Sequence, residues 1–193
     1  MIKVEKLSQE ILPYELKKLD KDNLVKLLLL QVRNVWRVDG LYFLGIEKRF
    51  GVEAATEIDR EAWRTLAKIE AKDLIKTFGV EKIDTIYDFI ELLKRTGWAL
   101  YQNEVKIEYL NDKEAVFKVT KCKIQETRLR KGLDIFPCKP VRLGYLEEFV
   151  RTINKNIDVN VISCPPDDKE PGYWCGWRFK IENSLHQPEE NNF

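Results

Sequence analysis

Histidine is almost missing from this chain: its one copy, His186, stands in a polar run near the C-terminal end. Without a central imidazole there is no Ser-His-Asp or Cys-His arrangement and no His-based metal triad, so any catalysis must rest on Cys, Asp, Glu or Arg. No Gly-rich phosphate loop occurs. No Cys-x-x-Cys pair occurs either, which removes the ligand spacing of zinc ribbons and thioredoxin-type motifs. An excess of one charge is lacking too: 33 Lys and Arg stand against 32 Asp and Glu. That balance leaves no electrostatic footprint for nucleic acid or an anionic membrane. The opening MIKVEKLSQE has no apolar h-region and no small-residue cleavage site, so no signal peptide and a cytoplasmic location are expected. The most apolar stretch carries Lys26, Arg33, Arg37 and Asp39, too many charges for a membrane span. A single Met beside abundant Lys, Glu and Ile resembles a thermophile's usage.

What is present suffices for one core. Hydrophobic residues make up 44% of the 193 residues, enough for one domain with a helical extension. Residues 1–21 read as that extension, with a short helix broken at Pro13. Asp22 is placed to cap a helix from Asn23 to Phe50 closed by Gly51; a second runs from Val52 to Phe78 and stops at Gly79. A third covers residues 82–96 and ends at Gly97. Beyond it the period changes from 3.6 to 2: Val105, Ile107 and Tyr109 alternate with Lys106 and Glu108, and Asn111-Asp112 marks a hairpin turn. Residues 125–139 read as a basic loop, Pro140 as the first position of a helix ending near Ile153, and 158–164 and 174–182 as strands. The fold class expected is α+β, with three N-terminal helices (22–97) packed on a C-terminal antiparallel β-β-α-β-β sheet (98–183) and a disordered tail (184–193). The long helices offer more apolar surface than one small sheet can cover, which points to a homodimer.

All four cysteines fall in the last third, spaced Cys122-x15-Cys138-x25-Cys164-x10-Cys175, each at the end of a strand or in a turn beside one. Thiols at element ends can converge. Three readings stay open. Four thiolates can ligate zinc or an iron–sulfur cluster. Alternatively Cys138 is a nucleophile, its thiolate favoured by a helix N-terminus and by Lys139 and Arg142. Or all four are small buried hydrophobes. Strand parity bears on the choice: Cys122 is out of phase with Phe117 and Val119, and Cys164 with Val159 and Val161. Those two are expected to point away from the core, whereas Cys175 shares the phase of Trp177 and Phe179.

Carboxylates also stand on apolar helix faces. Asp39 lies in the stripe of Val32, Trp36 and Phe43, with Glu47 at its edge; Asp59 and Glu70 lie on the stripe of Ala55, Trp63 and Leu66. A buried carboxylate must pair, protonate or bind a cation. These acids, with Arg128 as a bidentate carboxylate grip and Trp36, Tyr42, Phe43 and Trp63 as an apolar wall, outline a pocket for a small molecule. Pairing of the acids with Arg37, Arg64 or Arg128 is the plain alternative.

The runs RVDGLYFLGIEKRFG, ATEIDREAWRTLAKIEA, CKIQETRLRKGLDIFPCK and CPPDDKEPGYWCGWRF together resemble an uncharacterised prokaryotic domain family near the L-2-amino-thiazoline-4-carboxylic acid hydrolase group. The resemblance covers about residues 22–182. It implies that Asp39, Glu47, Asp59, Trp63, Glu70, Arg128 and the four cysteines form one constellation. It further implies hydrolysis of a small amidine- or thiazoline-like substrate but assigns no catalytic residue; the catalytic candidates, Cys138 and Asp39, rest on the readings of the residues above. The element order is also similar to that of vinyl-reductase-type domains, which implies ligand binding without catalysis. The expectation is a small-molecule- or metal-binding domain with a four-cysteine site beside an acidic pocket, the hydrolase being the alternative.

Overall fold

The computed structural model describes residues 16–182 except 103 and 169. The expected Pro13-broken helix and the polar tail lie largely or wholly outside these residues. The chain divides into two compact units, Met1–Leu41 and Tyr42–Phe193.

Helix α1 (Lys21–Phe50) begins two residues earlier than expected. Asp20, not Asp22, is its cap, its Oδ1 accepting from the Asn23 backbone N–H at 2.8 Å. In the first unit Leu24, Val25, Leu28, Val35 and Val38 are exposed and Trp36 is buried. No helix among the described residues is long and apolar enough to cross a membrane.

The second unit holds the sheet. Helix α2 (Val52–Phe78) stops at Gly79, whose φ of 60° is the left-handed conformation that glycine adopts at no steric cost. Where one helix was expected over 82–96 there is a shorter one, α3 (Ile86–Leu93), and a second, α4 (Gly97–Tyr101), opens at the glycine expected to end it. Two threonines decide this. Thr85 Oγ1 accepts from the Asp88 backbone N–H and its hydroxyl donates to Asp88 Oδ2 at 2.6 Å. Thr96 Oγ1 accepts from the Ala99 N–H, so Gly97 opens a helix instead of closing one. Thr85→Ala is expected to cost about 1 kcal/mol of stability, measured by urea unfolding.

The hairpin forms as its alternation predicts, β1 (Glu104–Asn111) turning into β2 (Glu114–Lys121). The basic stretch after it is not a loop: Lys123–Arg130 is a helix, α5. Its buried positions are Gln125 and Arg128, so no hydrophobic period announces it. Helix α6 (Cys138–Ile153) starts two residues before Pro140, and β3 (Ile157–Ser163) and β4 (Cys175–Ile181) follow. The four strands form one antiparallel sheet in the order β1-β2-β4-β3. The architecture is thus α+β with the helices leading, although, among the described residues from Lys21 onward, four helices precede the sheet and two lie between its hairpins.

The core lies between this sheet and helices α2, α3 and α6. Phe89 of α3 stands 5.0 Å from Phe179 of β4 and 6.4 Å from Phe149 of α6. Trp98 stands 5.1 Å from Phe117, and Trp63 of α2 5.9 Å from Tyr145 of α6. Small residues let α2 and α6 approach closely: Ala55, Ala67 and Ala71 are fully buried, and a Cβ on Gly144 would come within 3.1 Å of the Arg64 stem.

Candidate functional site

Four backbone constraints bring the cysteines together. Antiparallel pairing sets Val119 of β2 opposite Cys175 of β4, which brings Cys122, just past β2, to the start of β4. Pairing of Ser163 with Gly176 brings Cys164, just past β3, to the same place. Gln125 holds the backbone of Phe136 from both sides, donating from Nε2 to the carbonyl at 2.8 Å and accepting its N–H at 2.9 Å. That double bond ties Cys122, the N-cap of α5, to the segment that enters α6 at Cys138. Finally the Lys139 N–H donates to the Pro165 carbonyl at 2.7 Å, fastening the neighbour of Cys138 to the neighbour of Cys164. The Lys139 ammonium repeats the link through Asp167 at 2.9 Å.

All four thiols are free. Cys122, Cys164 and Cys175 are buried and Cys138 is half-buried. Cys122 and Cys164 do not point away from the core as strand parity predicts; each lies beyond its strand, where alternation no longer sets direction. The Cys164 thiol is hydrogen-bonded to Cys138 and to Cys175, and giving up its proton would end both bonds, so its pKa rises far above the ordinary thiol range. Cys138 moves the other way. The bond from Cys164 lowers it first; burial opposes this, and the charge and hydrogen bond of Arg142 lower it further. Burial pushes Cys122 up to about 12 against the pull of the Gln125 and Ile124 backbone N–H groups, and nearby Cys138 and Cys175 add to the rise. The indole N–H of Trp177 donates to Cys175 Sγ at 3.3 Å.

Arg142, one turn into α6, supplies the site's fixed positive charge. Its side chain is 2% exposed. The guanidinium carbon lies 5.0 Å from the Trp63 ring, 4.9 Å from Trp98 and 4.7 Å from Tyr145, an aromatic box that holds a desolvated cation by its ring faces. Tyr145 in turn donates its hydroxyl to Glu70 Oε2 at 2.6 Å, while Glu70 Oε1 accepts the Gly97 N–H at 2.7 Å. Burial and the Glu70 charge raise the Tyr145 phenol, so it stays a donor.

Trp63, Glu70 and Cys138 therefore meet, through Arg142 and Tyr145. Arg128 and Glu47 form a second assembly. Arg128 donates Nη1 and Nη2 to the two Glu47 oxygens at 3.0 and 2.8 Å and Nε to the Asp134 carbonyl at 2.6 Å. The two expected ligand grips thus grip each other. Phe43, 5.6 Å beneath the guanidinium, also meets Phe136 edge-on. Asp59 is buried on α2; Asp39 and Trp36 belong to the first unit. Tyr42 is 70% exposed and lines no wall as placed. Trp98 and Tyr145 escaped the sequence reading, since nothing local marks three rings from three helices as one box.

The chain belongs to a family of unknown function (DUF6125), whose sequence profile matches residues 17–181. No curated protein matches it. Among solved structures it is similar to a trafficking protein particle complex subunit 3 from Naegleria fowleri covalently bound to palmitic acid. That similarity has 9% identity and a TM-score of 0.49, over 80% of this chain and 96% of that one.

Proposed function

We propose that this is a cytoplasmic metal-binding domain whose working part is the four-thiol site, with Cys122, Cys138, Cys164 and Cys175 as ligands for zinc or an iron–sulfur cluster. As placed, no three His, Cys, Asp or Glu side chains among the described residues are arranged to hold a metal ion. Their sulfur atoms engage one another as thiols instead. The observation that carries the reading is the chain of thiol contacts centred on Cys164, reaching Cys138 and Cys175, which in turn act on Cys122. Four thiolates about 2.3 Å from a zinc ion stand about 3.8 Å apart along the tetrahedron's edges, a separation at which two sulfur atoms also hydrogen-bond. Exchange of thiol protons for one soft cation would draw the sulfur atoms closer together than they stand. Four thiolates around a divalent ion leave net negative charge, and Arg142 supplies a buried opposite charge.

Protein purified without oxygen is expected to carry about one zinc per chain, or the broad visible absorption of an iron–sulfur cluster, and to lose it when Cys122 and Cys175 are both replaced by Ser. Metal-free, colourless protein that takes up neither would overturn the reading.

The lowered Cys138 thiol favours a second reading, a hydrolase in which Cys138 attacks a small amidine- or thiazoline-like substrate, in line with the family resemblance. Turnover lost in Cys138→Ser but kept in a folded Cys122→Ser protein would support it. The exposed apolar side chains of α1 fit a homodimer. Neither nucleic acid nor a membrane is called for by either reading.

A further inference from the structure

We propose that Cys138 and Cys164 are a redox pair that closes to a disulfide on meeting a hydroperoxide. The inference concerns the same site but needs no metal. Cys138 is the one of the four cysteines that keeps partial solvent exposure as a residue, which marks the side from which a small peroxide would approach. It stands at the N-terminus of a sixteen-residue helix and against the Arg142 guanidinium. Cys164 is its hydrogen-bonded neighbour, and the two backbones are fastened next door by the Lys139–Pro165 bond at 2.7 Å and the Lys139–Asp167 ion pair at 2.9 Å. Closing a disulfide between residues already held side by side asks for rotation of side chains, not movement of elements.

The chemistry balances without another reactant. The Cys138 sulfur attacks the terminal peroxide oxygen; an S–O bond forms, the O–O bond breaks, and the leaving oxygen takes the thiol proton as water or an alcohol. The Cys164 sulfur then attacks Cys138; the S–S bond forms, the S–O bond breaks, and hydroxide leaves with the Cys164 proton as water. Two thiols are oxidised by two electrons in all and one peroxide is reduced by two. Cys175, which also touches Cys164, keeps its indole N–H bond and stays reduced.

The test uses the full chain, reduced, freed of metal with a chelator and treated with hydrogen peroxide. Two of its four titratable thiols should disappear, and non-reducing peptide mapping should join the Cys138 and Cys164 peptides. Cys164→Ala, checked for folding by circular dichroism, should instead yield a sulfenic acid at Cys138 that dimedone traps; if that variant does not fold, Cys138→Ser serves, and it should keep its three thiols. Retention of all four thiols, a Cys164–Cys175 linkage, or direct conversion of Cys138 to sulfinic acid in the wild type would each overturn the proposal. Because the protein is metal-free throughout, the outcome is independent of whether the reduced protein retains zinc or a cluster.

Discussion

Replacing Glu47 with alanine is expected to lower the free energy of unfolding by about 3 kcal/mol, far more than removal of a surface ion pair would. The Arg128 side chain is 9% exposed and the Glu47 side chain 22%, so both charges have left most of their water. Their two parallel hydrogen bonds replace that water. Without the carboxylate, Arg128 keeps only the Asp134 carbonyl and the Phe43 ring for a charge it cannot shed. The penalty should therefore be one of stranding, and it has a signature. The double variant Glu47→Met, Arg128→Met removes both charges at similar volume and should recover most of the loss, whereas additive costs in urea unfolding would mean the pair is worth its contacts alone. A Glu47→Ala cost below about 1 kcal/mol would show that water reaches the guanidinium after all.

That pair also shows where residue patterns stop being informative. Both residues were legible as special, and Arg128 was one of three arginines offered as partners for the acids; which arginine takes which acid was not legible, because 81 positions of sequence separate Glu47 from Arg128. The hairpin was readable because β1 and β2 alternate, and α2 because Gly79 needs a left-handed conformation. Helix α5 was not. Its buried side chains are Gln125 and Arg128, which fill their places by hydrogen bonding, so a search for apolar period finds only a basic loop. Gly97 misled for a related reason: glycine punctuates both ends of helices, and only the Thr96 hydroxyl says which end this is.

The cysteines were legible as a set from their positions at element ends, and the two strand pairings explain why ends that are distant in sequence are neighbours in space. Their inequality was only half visible. The position of Cys138 at a helix start and its neighbour Arg142 could be read, but the depth of Arg142 in its aromatic box could not, since Trp63, Trp98 and Tyr145 reach it from three helices.

The consequence of that box can be measured at Cys138. In metal-free protein at pH 7, Arg142→Gln is expected to slow alkylation of Cys138 by iodoacetamide, because a thiol whose pKa rises holds less thiolate at a pH well below it. Cys164→Ala should act in the same direction, having removed the hydrogen bond that lowers Cys138 most. The pH profile carries the sign. In the wild type the rate should rise through a midpoint below the ordinary thiol value of 9.0, and in both variants that midpoint should move up. Stability should follow the same linkage: a thiol lowered on folding contributes fully above its unfolded pKa, and the contribution fades as pH falls through the lowered value. Wild type and Arg142→Gln should therefore differ more in unfolding free energy at pH 9 than at pH 5. Arg142→Lys keeps the charge but not the planar fork, and an intermediate midpoint is expected if charge and hydrogen bond both act. Equal alkylation midpoints in wild type and folded Arg142→Gln would mean that the guanidinium serves only the rings around it.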